Sequence, residues 1–334
     1  MLKRLISGVV LGFLFIISLP NIASADTAIL NVSYDVTREF YKDFNPAFAK
    51  YWKEKTGETV TINQSHGGSS KQARSVVDGL EADVISMNQP TDIDILYERA
   101  RLIPKDWQKR LPNNSSPTAS TTVILVRKGN PKHIKDFDDL IKSGIDVVIA
   151  NPKTSGNGRY AYLAAWGSVL KKGGTDAQAK EFVTKLFKNV PVLDTGGRGA
   201  TTTFVQRDIG DALLTFENEV ALIKKELGGD QFEVVYPSIS ILAENPISLV
   251  DRVVDKHGTR KVAQAYLEFH YSDIGQELAV KHSLRPQVEA SAAKHKADFK
   301  PVQFFTVDDT FGGWANVQKV HFADGANFDQ IYIK

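Results

Sequence analysis

The sequence predicts an α/β protein whose sheets are mostly parallel and carry helices on their faces. Three observations predict it. Short β-type runs alternate with helix-period stretches along most of the chain. Turns rich in Gly, Ser and Thr recur where a strand hands over to a helix. The 334 residues are 42% hydrophobic and 24% charged with mean hydropathy −0.21, which suits about two ordinary soluble domains.

The first segment is set apart from the fold. Residues 1–4 (MLKR) are positive, 5–19 are apolar, Pro20 and Asn21 break the run, and Ala23-Ser24-Ala25 is an A-x-A cleavage site. The apolar run is shorter than the roughly 20 residues that span a bilayer. Residues 1–25 therefore read as a cleaved export signal rather than a membrane anchor, and the mature chain starts near Asp26. Removing Lys3 and Arg4 turns 41 basic against 39 acidic residues into 39 of each. That balance carries no basic footprint for nucleic acid. The absence of cysteine excludes a disulfide framework, a thiolate metal site, a catalytic thiol and a lipidated anchor. An exported chain without an anchor points to the periplasm.

The β-branched and apolar run 28–33 reads as a strand, and the next apolar spacing as a helix over 35–56, with Pro46 a kink or restart. Phe40, Phe44, Phe48 and Trp52 recur every four residues along that helix. The spacing describes a core-facing stripe; a ligand-stacking face is the alternative. Strand 59–64 leads to helix 70–80, and strand 82–87 to helix 91–101. Strands follow at 121–126 and 147–150, then helices over 159–171 and 179–187. Strand 190–193, helix 203–207, strand 212–215 and helix 217–227 continue the alternation. After a strand at 232–236 the pattern changes: 239–253 is extended around Pro246, and 260–281 is one long helix.

Four strand-to-helix junctions share one chemistry. Residues 31–35 (NVSYD) end with an Asp able to cap the next helix; 64–72 (QSHGGSSKQ) place Ser69 and Gln72 at capping-box spacing. Residues 151–159 (NPKTSGNGR) and 194–203 (DTGGRGATTT) repeat the theme. Glycine lets backbone approach a ligand, and Ser or Thr adds a hydroxyl donor. A helix N-terminus offers unpaired N–H groups and partial positive charge, so several converging termini would bind an anion without Lys or Arg. Taken singly, each junction also reads as an ordinary turn and cap. Ligands of open α/β folds gather at the carboxyl ends of strands, where these junctions fall.

These segments resemble the periplasmic sulfate- and thiosulfate-binding proteins of ABC importers. The resemblance runs through 31–39 (NVSYDVTRE), 64–73 (QSHGGSSKQA), 110–117 (RLPNNSSP), 125–131 (LVRKGNP), 151–157 (NPKTSGN) and 163–167 (LAAWG). It continues through 188–190 (KNV), 241–244 (ILAE) and 311–314 (FGGW) to His321-Phe322. It implies a two-lobed type II periplasmic binding protein fold with crossover hinge strands at 121–127 and 239–250. By that division 26–119 plus 248–334 form lobe I, and 120–247 form lobe II. The resemblance also implies an anion site: the backbone N–H groups of Asp35 and Ser69 from lobe I, and the Ser155 hydroxyl with the N–H groups of Gly156, Asn157 and Gly197 from lobe II. Phe216 stands where the sulfate type has an indole donor, a departure that removes one hydrogen bond. Asn157 and Gly197 replace the glycine and alanine of the sulfate type, and residues 154–157 (TSGN), 196–204 (GGRGATTTF), Phe216-Glu217 and Asn88-Gln89 look more like the thiosulfate-preferring branch. Thiosulfate's sulfur is a larger and weaker acceptor than oxygen and suits an aromatic edge better. The implied ligand is sulfate or thiosulfate, leaning to thiosulfate. The implied partners are a permease and its ATPase. The implied chain is monomeric, carries no cofactor or metal, and is no enzyme.

Other chemistries find less support in the residues. His66-Gly67-Gly68 is similar to an oxyanion-hole loop, with Ser69 or Ser155 as nucleophile of a serine hydrolase, but the chain has no G-x-S-x-G elbow. Residues 67–72 lack the ending of a P-loop, and no G-x-G-x-x-G follows a strand. The seven histidines form no H-x-H or H-x-x-x-H pair. Phosphate, which carries a proton near neutral pH, would use a carboxylate acceptor such as Asp35; molybdate is a further tetrahedral candidate. Arg159 and Arg198 flank two of the junctions and either touch the anion or pair with carboxylates and carbonyls around it.

Overall fold

The computed structural model describes residues 27–226 and 228–332. The export signal expected at 1–25 lies outside the described residues. Along the chain run β1 (Thr27–Tyr34), α1 (Arg38–Thr56), β2 (Val60–Gly67), α2 (Ser69–Val77), β3 (Val84–Ser86), α3 (Pro90–Ala100), the one-turn α4 (Pro112–Ser115) and β4 (Thr118–Arg127). Then come β5 (Val147–Ala150), α5 (Gly156–Lys171), α6 (Asp176–Lys188), β6 (Leu193–Asp194), α7 (Gly197–Val205), β7 (Ala212–Phe216), α8 (Glu217–Glu226), β8 (Phe232–Val235) and β9 (Ile239–Asn245). The rest is β10 (Ile247–Leu249), α9 (Asp251–His257), α10 (Arg260–Phe269), α11 (Asp273–Lys281), β11 (Arg285–Pro286), α12 (Glu289–Lys294), β12 (Gln303–Phe305), α13 (Val307–Phe311), α14 (Trp314–Val317) and α15 (Asn327–Ile331).

Two sheets organise two lobes. The first has the order β10-β3-β1-β2, with β2, β1 and β3 parallel and β10 antiparallel at the edge. Its core holds the aromatic stripe: Phe40, Phe44, Phe48 and Trp52 are all buried against Tyr266 and Phe269. This burial offsets the hydrogen bond that Pro46 removes, and α1 runs through that proline without a restart. Gly57 closes the helix in the left-handed region at φ 77°.

The second sheet has the path β12-β9-β4-β7-β5-β6, with β8 and β11 also pairing β4. It is mixed rather than mostly parallel. β5 is parallel to β6 and β7, and β12 to β9, but β4 is antiparallel to β7, β8, β9 and β11. The reason is the course of the chain: β4 enters this sheet and β9 leaves it in the opposite direction. After β9 a single residue, Pro246, separates it from β10 in the first sheet.

Three further differences concern the last third. Residues 251–253 begin helix α9 instead of extending the strand. The long helix expected over 260–281 is two helices, α10 and α11, because Ser272 restarts the chain by accepting the Gly275 N–H at 3.1 Å. From β12 onward the chain packs on the second lobe: Phe305, Val307, Phe311, Val317, Phe322 and Phe328 share a buried cluster with Tyr162 and Phe187. That packing departs from an assignment of all of 248–334 to the first lobe. Lys153 fastens this tail, donating to the Phe322 carbonyl at 3.0 Å and to Asp329 at 2.9 Å.

Candidate functional site

β1, β2, β5 and β6 each end at one of the four junctions, and the junctions meet. Glycines make the approach possible. A Cβ on Gly68 would lie 2.7 Å from the carbonyl oxygens of both Thr154 and Thr195. One on Gly196 would lie 2.3 Å from Asp35 Oδ2, and one on Gly197 2.9 Å from Val36 Cγ1. One on Gly156 would lie 1.8 Å from Asn88 Oδ1. Segments 35–36, 68–69, 88, 154–157 and 195–197 therefore form one contact across the cleft. The residues singled out in the sequence at 35, 69, 155, 156, 157 and 197 all fall on or beside it.

Helices α2, α5 and α7 begin at Ser69, Gly156 and Gly197, so three first turns, whose N–H groups have no partner within their own helix, are brought to the same place; of these the Arg198 N–H is taken by Asp35. None of their N-cap residues, Gly68, Ser155 and Gly196, makes a side-chain cap bond. The expected capping box of Ser69 and Gln72 is absent. Ser69 Oγ instead donates to the Asp92 carboxylate and contacts Met87 Sδ at 3.3 Å, while Gln72 Nε2 donates to Ser65 Oγ at 2.9 Å. Asp35 does not cap α1 either: its N-cap is Thr37, and the Asp35 carboxylate faces α7. Ser69 and Ser155 are each 1% exposed.

Asn157, in the first turn of α5, is held by a 3.1 Å bond from Nδ2 to Thr215 Oγ1, and its Oδ1 has no partner. Phe216 ends β7, directly after Thr215, and is fully buried. Its ring meets Tyr160 edge to face at 5.7 Å.

Both flanking arginines are engaged by protein acceptors. Arg198 pairs with Glu39 at 2.8 Å and Glu219 at 2.9 Å. Glu219 also accepts from Thr201 Oγ1 at 2.7 Å, yet burial pushes its carboxyl up to about 7 against the lowering effect of Arg198. Arg159 donates from Nε to the Pro152 carbonyl at 2.9 Å and lies over the Phe322 ring. Burial raises the Asp35 carboxyl above its ordinary range, opposed by the Arg198 backbone N–H and charge. His66 bonds Ser33 Oγ at 2.6 Å through Nδ1, and burial lowers it to about 4. Neither Ser69 nor Ser155 takes part in that pair, and no group of three metal-ligating side chains exists among the described residues. Sequence reasoning named Asn88 only as part of the resemblance. Its place against Gly156 is a contact between lobes that no local spacing reports.

Two α/β lobes joined by strands that cross between them, with glycine-marked helix N-termini facing each other over the cleft, define a two-lobed solute-binding protein of type II. The chain belongs to the bacterial extracellular solute-binding protein family, whose family model matches residues 32–285. It is 61% identical over 316 residues to the thiosulfate-binding protein of Pseudomonas aeruginosa, covering 95% of each chain. It is 53% identical over 321 residues to the sulfate-binding protein of Escherichia coli, covering 96% of this chain and 97% of that one. Among solved structures, the sulfate-binding protein SubI from Mycobacterium tuberculosis superposes with a TM-score of 0.81 at 30% identity, over 89% of this chain and 100% of that one.

Proposed function

We propose that this protein captures sulfate or thiosulfate between its lobes and delivers it to an ABC importer. The observation that carries the reading is the meeting of three glycine-marked helix N-termini from both lobes at one buried point. Such a site offers N–H donors and partial positive charge but no free cationic side chain, which suits an anion that carries only acceptors. In this reading the backbone N–H groups of Asp35, Ser69, Gly156, Asn157 and Gly197 and the Ser155 hydroxyl donate to the anion. Phe216 supplies an apolar wall. Names of the relatives above support both anions; the phenyl ring at 216, which has no donor, favours thiosulfate.

The protein acts as a monomer in the periplasm after loss of residues 1–25, and its partners are a permease and the ATPase that drives it. Lobe I comprises 26–119 and 248 to about 300, and lobe II comprises 120–247 with the tail from β12 onward, following the packing of Phe305 to Phe328. The strands β4 and β9 are the hinge. Closure of the lobes on a ligand is the usual motion of such proteins.

Competitive calorimetry of ligand-stripped protein with sulfate, thiosulfate, phosphate and molybdate tests the reading. One-to-one binding of a sulfur oxyanion, unaffected by excess phosphate, is the expected result. Preference for phosphate or molybdate, or no binding to sulfate and thiosulfate, would overturn it.

A further inference from the structure

The loop 151–157 carries three of the residues that the binding reading gives to the anion: Ser155, Gly156 and Asn157. Asn151 gathers the loop from within. Its carbonyl accepts the N–H groups of Thr154 at 3.1 Å and Ser155 at 2.9 Å, and its Oδ1 accepts that of Lys153 at 2.9 Å. The Asn151 N–H donates to the Asp194 carbonyl at 2.7 Å, which ties the loop to the end of β6. A second anchor comes from far along the chain. The Lys153 ammonium donates to the carbonyls of Phe322 at 3.0 Å and Ala323 at 3.4 Å, and to the carboxylates of Asp329 at 2.9 Å and Asp324 at 3.5 Å. An ammonium has three donors, and the tail presents four acceptors to it. Lys153 is therefore no free cation, although it stands two residues from Ser155. Phe322 is held twice: Arg159, which donates to the Pro152 carbonyl of the same loop at 2.9 Å, lies over its ring at 5.1 Å. The ring itself is buried in the second lobe's core with Phe311 and Phe328.

We infer that Lys153 is a positioning residue for the anion: clamped to the tail, it fixes loop 151–157 so that the Ser155 hydroxyl and the N–H groups of Gly156 and Asn157 are in place before the ligand arrives. The inference rests on the binding reading above and adds to it a role for residues 322–329, where no ligand contact is placed. A loop ordered in advance incurs no ordering cost on binding, so a lost anchor appears as lost affinity. The competing account is charge alone, since a cation near the cleft attracts an anion through space. The two accounts separate at Asp329. Removing a negative charge there strengthens anion binding if only charge matters, and weakens it if Asp329 matters as the acceptor of the clamp.

The test uses mature protein stripped of ligand, with sodium thiosulfate and sodium sulfate as probes, in calorimetry at fixed ionic strength. Lys153→Met and Asp329→Ala are each expected to weaken both anions about tenfold, the order of one hydrogen bond to a charged group. The double variant is expected to lose little more than either single one, because both act through one contact. Lys153→Arg, which keeps the charge and the donors, is expected to bind within about threefold of wild type. Ligand-free melting temperatures show whether each variant folds; should Asp329→Ala fail to fold, Asp329→Asn decides in its place, with a smaller loss because a neutral acceptor remains. Affinity at an Asp329 variant equal to or tighter than wild type, with Lys153→Met weakened, overturns the inference in favour of charge alone. Folded variants that melt earlier but bind within about threefold of wild type overturn it in favour of a clamp that serves stability only. In both cases wild type still binds and the functional reading stands. Wild-type protein that binds neither anion overturns that reading and this inference together.

Discussion

The backbone N–H of Arg198 donates to Asp35 Oδ2 at 3.1 Å, although the two residues stand 163 positions apart. Arg198 is the second residue of α7, whose own N-cap Gly196 has no side chain to offer. The Asp35 carboxylate therefore caps a helix of the other lobe. A Cβ on Gly196 would collide with the same oxygen, so the glycine is what admits the cap. Separation of the lobes would break this bond, so closure, if it occurs as proposed, is tied to satisfaction of a helix N-terminus.

Asp35→Ala should therefore weaken the closed form selectively. A hydrogen bond to a charged group is worth about 1.5–3 kcal/mol. Urea unfolding at saturating thiosulfate should show a loss of that order, with a smaller loss in ligand-free protein. Asp35→Asn, which keeps an acceptor oxygen, should lose less. Equal losses with and without ligand would show that the contact does not depend on closure.

Gly68→Ala should separate binding from stability. The backbone at Gly68 (φ −56°, ψ 129°) suits alanine, so its own lobe tolerates the methyl group. The obstacle is the pair of carbonyl oxygens at Thr154 and Thr195, each 2.7 Å away. Overpacking costs about 1–3 kcal/mol, equivalent to roughly 5- to 150-fold in affinity. Calorimetry should show that loss with little change in the ligand-free melting temperature. Small-angle scattering of the variant should also show less contraction on adding ligand than wild type does.

Phe216→Trp should shift the preference toward sulfate by adding an indole donor. The gain is at most about 1.5–3 kcal/mol, roughly 10- to 150-fold. Extra volume against Tyr160, edge to face at 5.7 Å, offsets part of it. The ratio of sulfate to thiosulfate dissociation constants is the sharper readout. A ratio that moves toward thiosulfate, in a variant that folds normally, contradicts the role given to the ring.

Acid should destabilise the fold through its buried histidines. Burial lowers His66 and His321 from 6.5 to about 4 and His270 to about 3. Each binds a proton more readily once unfolded, so its stabilisation is full above pH 6.5 and falls as pH drops toward 4. Glu219 works in the opposite sense: its carboxyl, raised to about 7, contributes stability that is lost as pH rises through 7. Melting temperatures of ligand-free protein should fall between pH 6.5 and 4. His321→Gln should fall less over that window, since it removes one of the titrating groups. An unchanged slope in that variant would argue against a neutral buried imidazole at 321.

Much of this was legible in the chain itself. The four-residue spacing of Phe40, Phe44, Phe48 and Trp52 placed a core face, and all four side chains are buried. The glycine-rich junctions marked where strands become helices, and α2, α5 and α7 begin there. The capping box at Ser69 and Gln72 was not legible as absent. Spacing permits that motif, but Ser69 finds a stronger acceptor in the Asp92 carboxylate, a residue of another helix.

By itself the sequence determined the α/β class, the order of most elements and the chemistry of the junctions. These depend on backbone preference and side-chain periodicity over a few residues, and such information is local. Tertiary structure alone decided what the junctions touch: Asp35 against Arg198, Asn88 against Gly156, and Gly68 against Thr154 and Thr195. It also decided that β4 would run antiparallel to β9 and that the tail from β12 would pack on the second lobe. Those contacts join residues far apart in the chain. Periodicity reports that a side chain is apolar or that a turn is tight; it carries no record of which distant surface will be brought against it.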